Sequence, residues 1–244
     1  MRFQPSFSEV TAIIRSDRRF APICGRDAFI AQAAPLLVDE PARCDELAEL
    51  YASLPEPHAR TMIVDLLVTA GSEAAQVALV RVLAQTFGTP ADPLFLVLFR
   101  RLALLERPTA AVATFAREVY FDSQGKLWIA AAHTVGALIA GLARNGLGDA
   151  ARNLAWILGS HLSSTSNPFM QTALLQALGL ARRLEDLPFL LAFAGATNPS
   201  VRRAAHEGIE ATRRAACTTA DEAWTAAETE DTVPCGRAIQ GLIG

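Results

Sequence analysis

Lysine is almost missing from this chain: Lys126 stands alone, and arginine supplies the rest of 22 basic residues set against 25 acidic ones. The arginine preference reads as the coding bias of a GC-rich, bacterial genome and carries no function of its own. With a net charge of -3 and a pI near 5.8, the chain also lacks the basic excess that phosphate attraction demands. Nucleic acid is thereby reduced to a minor alternative among its partners.

Aromatic residues are scarce, at 7%, and Val, Ile and Thr never gather into the alternating runs that half-buried strands require. Hydrophobic residues make up 51% of the chain, dominated by alanine and leucine. Burial must therefore come from small and aliphatic side chains on closely approaching helices. No apolar run reaches the roughly 18 to 20 residues of a membrane helix, since Leu94–Leu105 is interrupted by Arg100 and Arg101. Residues 1–19 lack the charged start, apolar core and cleavage site of a signal peptide. These absences predict no membrane span and a cytoplasmic location, or secretion if the chain is a mature or trimmed form.

Catalytic constellations are missing too. His58, His133, His161 and His206 stand singly, without an HExxH pair. No GxSxG elbow surrounds Ser163, Ser164 or Ser166, and Gly146 and Gly148 fall between helical stripes instead of following a strand. The expectation is a non-enzymatic protein with no cofactor and no metal. Four cysteines lie near the ends, Cys24 and Cys44 on one side, Cys217 and Cys235 on the other, without metal-ligand spacing. They read as buried reduced thiols, with two local disulfides closing the terminal caps as the alternative.

Helical periodicity is present from end to end. Leu47, Leu50, Tyr51 and Leu54 form one stripe; Trp128, Ala131, Val135, Leu138, Ile139 and Leu142 form another; Met170, Leu174, Ala177, Leu178 and Ala181 a third. The stripes open on regular punctuation. Asp92-Pro93, Asn167-Pro168 and Asn198-Pro199 each put a capping side chain before a proline, and Glu56-Pro57 is a weaker version. Prolines at 57, 93, 168 and 199 are separated by 36, 75 and 31 residues, the middle gap holding about two units. A period of roughly 30 to 40 residues marks stacked helix pairs.

The pattern predicts an all-α chain: a right-handed α-α superhelix, or HEAT-like solenoid, of about five to six helix pairs in a single domain. Residues 1–55 would form N-terminal capping helices, 56–214 the repeats, and 215–244 a C-terminal cap. Expected pairs are 57–70 with 73–86, 92–105 with 108–119, 126–143 with 147–161, and 168–182 with 185–194. A last repeat helix spans 199–214, and a separate capping helix 220–228.

The stretch LLQALGLARRLEDLPFLLAFAGATNPSVRRAAHEGIEATRR, residues 174–214, resembles HEAT repeats, whose second helix opens with Asp or Asn, then Val-Arg, then paired small residues. Asn198, Val201, Arg202, Ala204 and Ala205 occupy those places. Within the HEAT group, the succession of Leu-Gly, Leu-Pro-x-Leu-Leu and Val-Arg-x-Ala-Ala helices looks like the superhelical domain of vitellogenin-type lipid-transfer proteins. The resemblance implies a helical superhelix. Lipid handling is the alternative it suggests, although the sheet domains that hold lipid in those carriers have no counterpart here.

Candidate contact residues are the arginine pairs Arg182 and Arg183, Arg202 and Arg203, and Arg213 and Arg214, which register in a solenoid would align as one basic strip. The competing reading is local pairing with Glu185, Asp186, Glu207 and Glu210. Trp128, Trp156, Phe95, Phe99 and Phe115 read as core. The function expected is a protein-binding or scaffold module whose concave face or ridge engages another protein.

Overall fold

The structure, a computed structural model, describes residues 5–16, 25–87 and 93–228, and the side chains of these except at 93 and 219–228. The described residues contain helices and no strand. In chain order the helices are α1 (Phe7–Arg15), α2 (Gly25–Asp39), α3 (Ala42–Ser53), α4 (Pro57–Ala70), α5 (Glu73–Phe87) and α6 (Pro93–Phe99), which tightens into a 3-10 turn over Arg100–Leu104. They continue with α7 (Ala110–Asp122), α8 (Gly125–Arg144), α9 (Gly148–Ser164), α10 (Pro168–Ala181), α11 (Leu187–Leu191) behind a 3-10 turn at Leu184–Asp186, and α12 (Pro199–Glu228).

Alternate helices pack on one another in two rows. The first row runs α2, α4, α6 with its 3-10 end, α8, α10, α12; the second runs α3, α5, α7, α9, α11. Each helix also touches its sequence neighbour in the opposite row, so one hydrophobic core extends without interruption from Val10 to Ile209. α1 lies across α2 and α4 at the N-terminal end.

The helix starts explain much of the regularity. Asn167 accepts from the backbone N–H groups of Phe169 and Met170 at 2.9 and 3.5 Å, and Asn198 from Ser200 and Val201 at 3.0 and 3.3 Å. Glu56 makes no side-chain cap bond, and Asp92 lies outside the described residues. A second device repeats at the same starts. Three residues after the opening proline, a long side chain donates to the carbonyl six residues behind it: Arg60 to Leu54 at 2.7 Å, Gln171 to Thr165 at 2.9 Å, Arg202 to Ala196 at 2.7 Å. Each bond fastens the entering loop to the first turn of its helix.

Between α8, α10 and α12 the packing reaches backbone contact. A methyl group added at Gly136 would lie 2.1 Å from the carbonyl oxygen of Ala177, and one at Gly179 would lie 2.8 Å from the Cα of Gly208. Further toward the N-terminus, charge spans the row instead. Asp65 on α4 pairs with Arg26 from α2 and, at 3.1 Å, with Arg101 from the 3-10 turn, so one carboxylate bridges three successive helices.

Several expected boundaries need correction. The two helices expected at 199–214 and 220–228 are one 30-residue helix, because no glycine or proline interrupts 209–228. The helix expected over 185–194 is confined to Leu187–Leu191, after which 3-10-type bonds such as Phe193 N–H to the Leu190 carbonyl carry the chain through tight turns. α1 lies within residues 1–55, expected as N-terminal capping helices, and is started by the Ser6 and Glu9 capping box. α8, with 20 residues, is long and apolar enough to cross a membrane by length and composition, contrary to the expectation of no such run. Its alanines and glycines dilute the signal in sequence, and 61% of its apolar window is buried among neighbouring helices.

Candidate partner-binding surface

Of the six arginines singled out from sequence, four lie on α12 and two at the end of α10. Arg202 is committed to the carbonyl of Ala196. Arg203 pairs with Glu207 at 2.8 Å, Arg213 with Glu210 at 3.7 Å, and Arg214 donates to the Glu210 carbonyl at 3.3 Å. From Arg202 to Arg213 is about 16 Å along α12, at 1.5 Å per residue. Two of these four, Arg203 and Arg213, thus pair with acidic side chains on α12, and the other two contact backbone carbonyls. Arg182 and Arg183 sit at the C-terminal end of α10, where they line a groove with Arg144 from the end of α8 and with Ala215 and Ala216 of α12.

These three arginines line a shallow groove of about 570 Å³ between the ends of α8 and α10 and the middle of α12. Its wall is alanine, from Ala140, Ala143, Ala181, Ala215 and Ala216, with Leu184 at the rim, 55% exposed. Arg183 pairs with Glu185 at 3.4 Å, yet its Nη1 is buried without a hydrogen bond. Asp186 behind it is buried, and desolvation pushes its carboxyl upward, against the pull of Arg183. Arg144 and Arg182 make no ion pair among the described residues. Arg182 is also in the left-handed region, with φ 53, while the left-handed positions closing α4 and following α8 are Gly71 and Gly146.

A second groove of about 500 Å³ lies on the same edge of the first row, where α4 and the 3-10 turn end. Val38, Val68, Leu104, Glu106 and Arg107 line it. Leu104 is 59% exposed. Val97, Leu104 and Leu180 therefore leave aliphatic surface open along the first row, interleaved with exposed Arg100 and Gln176. Sequence reasoning missed Arg107 and Arg144, which are single arginines; their common signal is a place at or just past a helix end.

Of the aromatics expected in the core, Trp128, Phe95, Phe99 and Phe115 are buried. Trp156 is not: it is 66% exposed, on the outer side of α9, whose core face is carried by Ala151, Leu154, Ala155, Leu158 and Leu162. Two residues past Leu154, it falls on the opposite face. His161 meets the buried Tyr120, whose hydroxyl lies 2.6 Å from its Nδ1, with Trp128 packed edge-on against the imidazole. Burial drives the Tyr120 phenol far above its ordinary value.

Cys44 is a buried free thiol, raised by desolvation, and Cys217 is free and exposed. Cys24 and Cys235 lie outside the described residues, as do the side chains of the acidic run Asp221, Glu222, Glu228, Glu230 and Asp231. Among the described residues no three His, Cys, Asp or Glu side chains converge as metal ligands would.

The chain is thus an all-α protein of stacked helices with a basic, alanine-walled groove on one edge. No family model, no curated protein and no solved structure matches it.

Proposed function

We propose that the protein is a non-enzymatic binding or scaffold module, a solenoid of HEAT-like helix pairs that engages another protein through its first row of helices. The observation that carries this reading is the open aliphatic surface of that row, where Val97, Leu104 and Leu180 stand exposed with Arg100 and Gln176 between them. Exposed apolar side chains with polar groups between them suit protein association; the second row also exposes Val77, Phe121, Trp156 and Leu191, which makes it the competing face. The repeated proline starts and their N-terminal fastenings support the helix-pair architecture. Lipid handling gains nothing from the contacts of α8, α10 and α12, whose backbones touch and leave no width for an acyl chain between them.

Photo-cross-linking residues placed at Val97, Leu104 or Leu180, and separately at Trp156 or Phe121 on the second row, test the reading in extract from the source cells. Discrete protein adducts are expected from the first set and should disappear when unlabelled protein competes. Adducts confined to the second set would overturn the assignment of the face.

A further inference from the structure

We propose that the groove at the ends of α8, α10 and α12 receives a carboxylate-bearing segment of a partner protein, its acidic side chains on Arg144 and Arg182 and an aliphatic side chain against the alanine wall. The assignment rests on the protein-binding reading above and gives that reading its chemistry.

Charge decides the sign of the occupant. The C-termini of α8 and α10 each bring roughly half a negative charge to this end, and Glu185 adds a full one, 3.4 Å from Arg183. Arg183 is matched by Glu185 and by the buried Asp186 behind it, so the excess positive charge in the groove is that of Arg144 and Arg182 against the two helix ends. Neither Arg144 nor Arg182 has a carboxylate partner among the described residues. Their planar forks match carboxylates in two-point contact.

Helix capping by cations accounts for Arg144. It accounts for the charge at Arg182, which caps α10, but not for the backbone conformation that carries it. At φ 53 an L side chain meets the steric penalty of the left-handed region, which glycine escapes. The chain uses glycine at the comparable positions Gly71 and Gly146. An arginine held where glycine is the more stable choice points to a use for its side chain outside the fold. The groove beside it supplies one, since Leu184 and five alanines offer aliphatic contact within reach of the same guanidiniums.

The test uses a fluorescein-labelled peptide of sequence Glu-Glu-Leu-Glu-Glu-Leu, read by fluorescence anisotropy against the full chain at low salt, with the Lys-Lys-Leu-Lys-Lys-Leu counterpart as control. The acidic peptide is expected to bind, at least tenfold more weakly to Arg144→Glu and to Arg182→Gly, and the lysine peptide not to bind. Arg203→Glu, far up α12, should leave the affinity within twofold. Arg182→Gly should also melt at a higher temperature than the parent, a pairing of lost binding with gained stability that a purely structural arginine does not produce. Equal affinity for Arg144→Glu and the parent, an equal loss with Arg203→Glu, or a lowered melting temperature for Arg182→Gly would overturn the proposal. If the acidic peptide fails to bind while Val97 and Leu104 still cross-link a partner, the groove assignment alone falls. Failure of both removes the protein-binding reading with it.

Discussion

His133 sits on α8 with its Nε2 buried and without a hydrogen bond. Desolvation lowers its pKa, Arg100 lowers it further, and a contact with Gln176 only partly opposes them. The folded chain thus keeps this imidazole neutral where the unfolded chain, near 6.5, takes up a proton. Between those two values the unfolded state holds more protons, so stability contributed here is present above about pH 7 and is lost as pH falls. Asp186, raised by burial, acts in the opposite sense nearer the carboxylate range, so the His133 contribution is isolated only by comparison with a variant. Urea melts should show His133→Gln costing less stability at pH 5.5 than at pH 7.5. Gly136 gives a sharper residue-scale prediction. Its added methyl would meet backbone, which cannot swing aside, so Gly136→Ala should cost about 3 kcal/mol by overpacking. Gly195→Ala, where a methyl meets nothing within 4 Å, should change stability by about 0.5 kcal/mol or less.

At the scale of the helix, the recurring unit is a start and its fastening. Arg60, Gln171 and Arg202 occupy equivalent positions, and each spends its donor on a carbonyl of the preceding loop. Replacing Arg60 or Gln171 by alanine should therefore cost about 1 kcal/mol in thermal or urea unfolding, with exposed Arg202 at the lower end. These starts were legible in sequence because proline and asparagine act locally, through geometry fixed within a few residues. The Val-Arg pair at Val201 and Arg202 was legible as a pattern, but its purpose was not, since the Ala196 carbonyl it meets is defined only once the turn has formed. Helix ends were less legible. α11 stops at Leu191 without a proline to stop it, where Leu190 turns toward Gly208 on α12. The groove was invisible for a related reason: Arg144 and Arg182 are 38 positions apart in sequence and line one groove only through the register of α8 against α10.

At the scale of the molecule, α12 is the last described helix of the first row. Its inner face buries Val201, Ala204, Ala205, Gly208 and Ile209, and its outer face presents Arg202, Arg203, His206, Glu207, Glu210, Arg213 and Arg214 to solvent. The two halves of the first row are joined differently: Asp65 bridges α2, α4 and the 3-10 turn through charge, whereas α8, α10 and α12 meet through bare backbone. The difference has a mechanical meaning. Tension applied to the end of α12 passes to α8 through peptide groups that have no rotatable side chain to yield first, so these three helices should bear load as one body. Pulled between handles at Ala110 and Thr218 in an optical trap, the segment should give way in a single rip, not helix by helix. Gly136→Ala should split that rip in two and lower the force of the first.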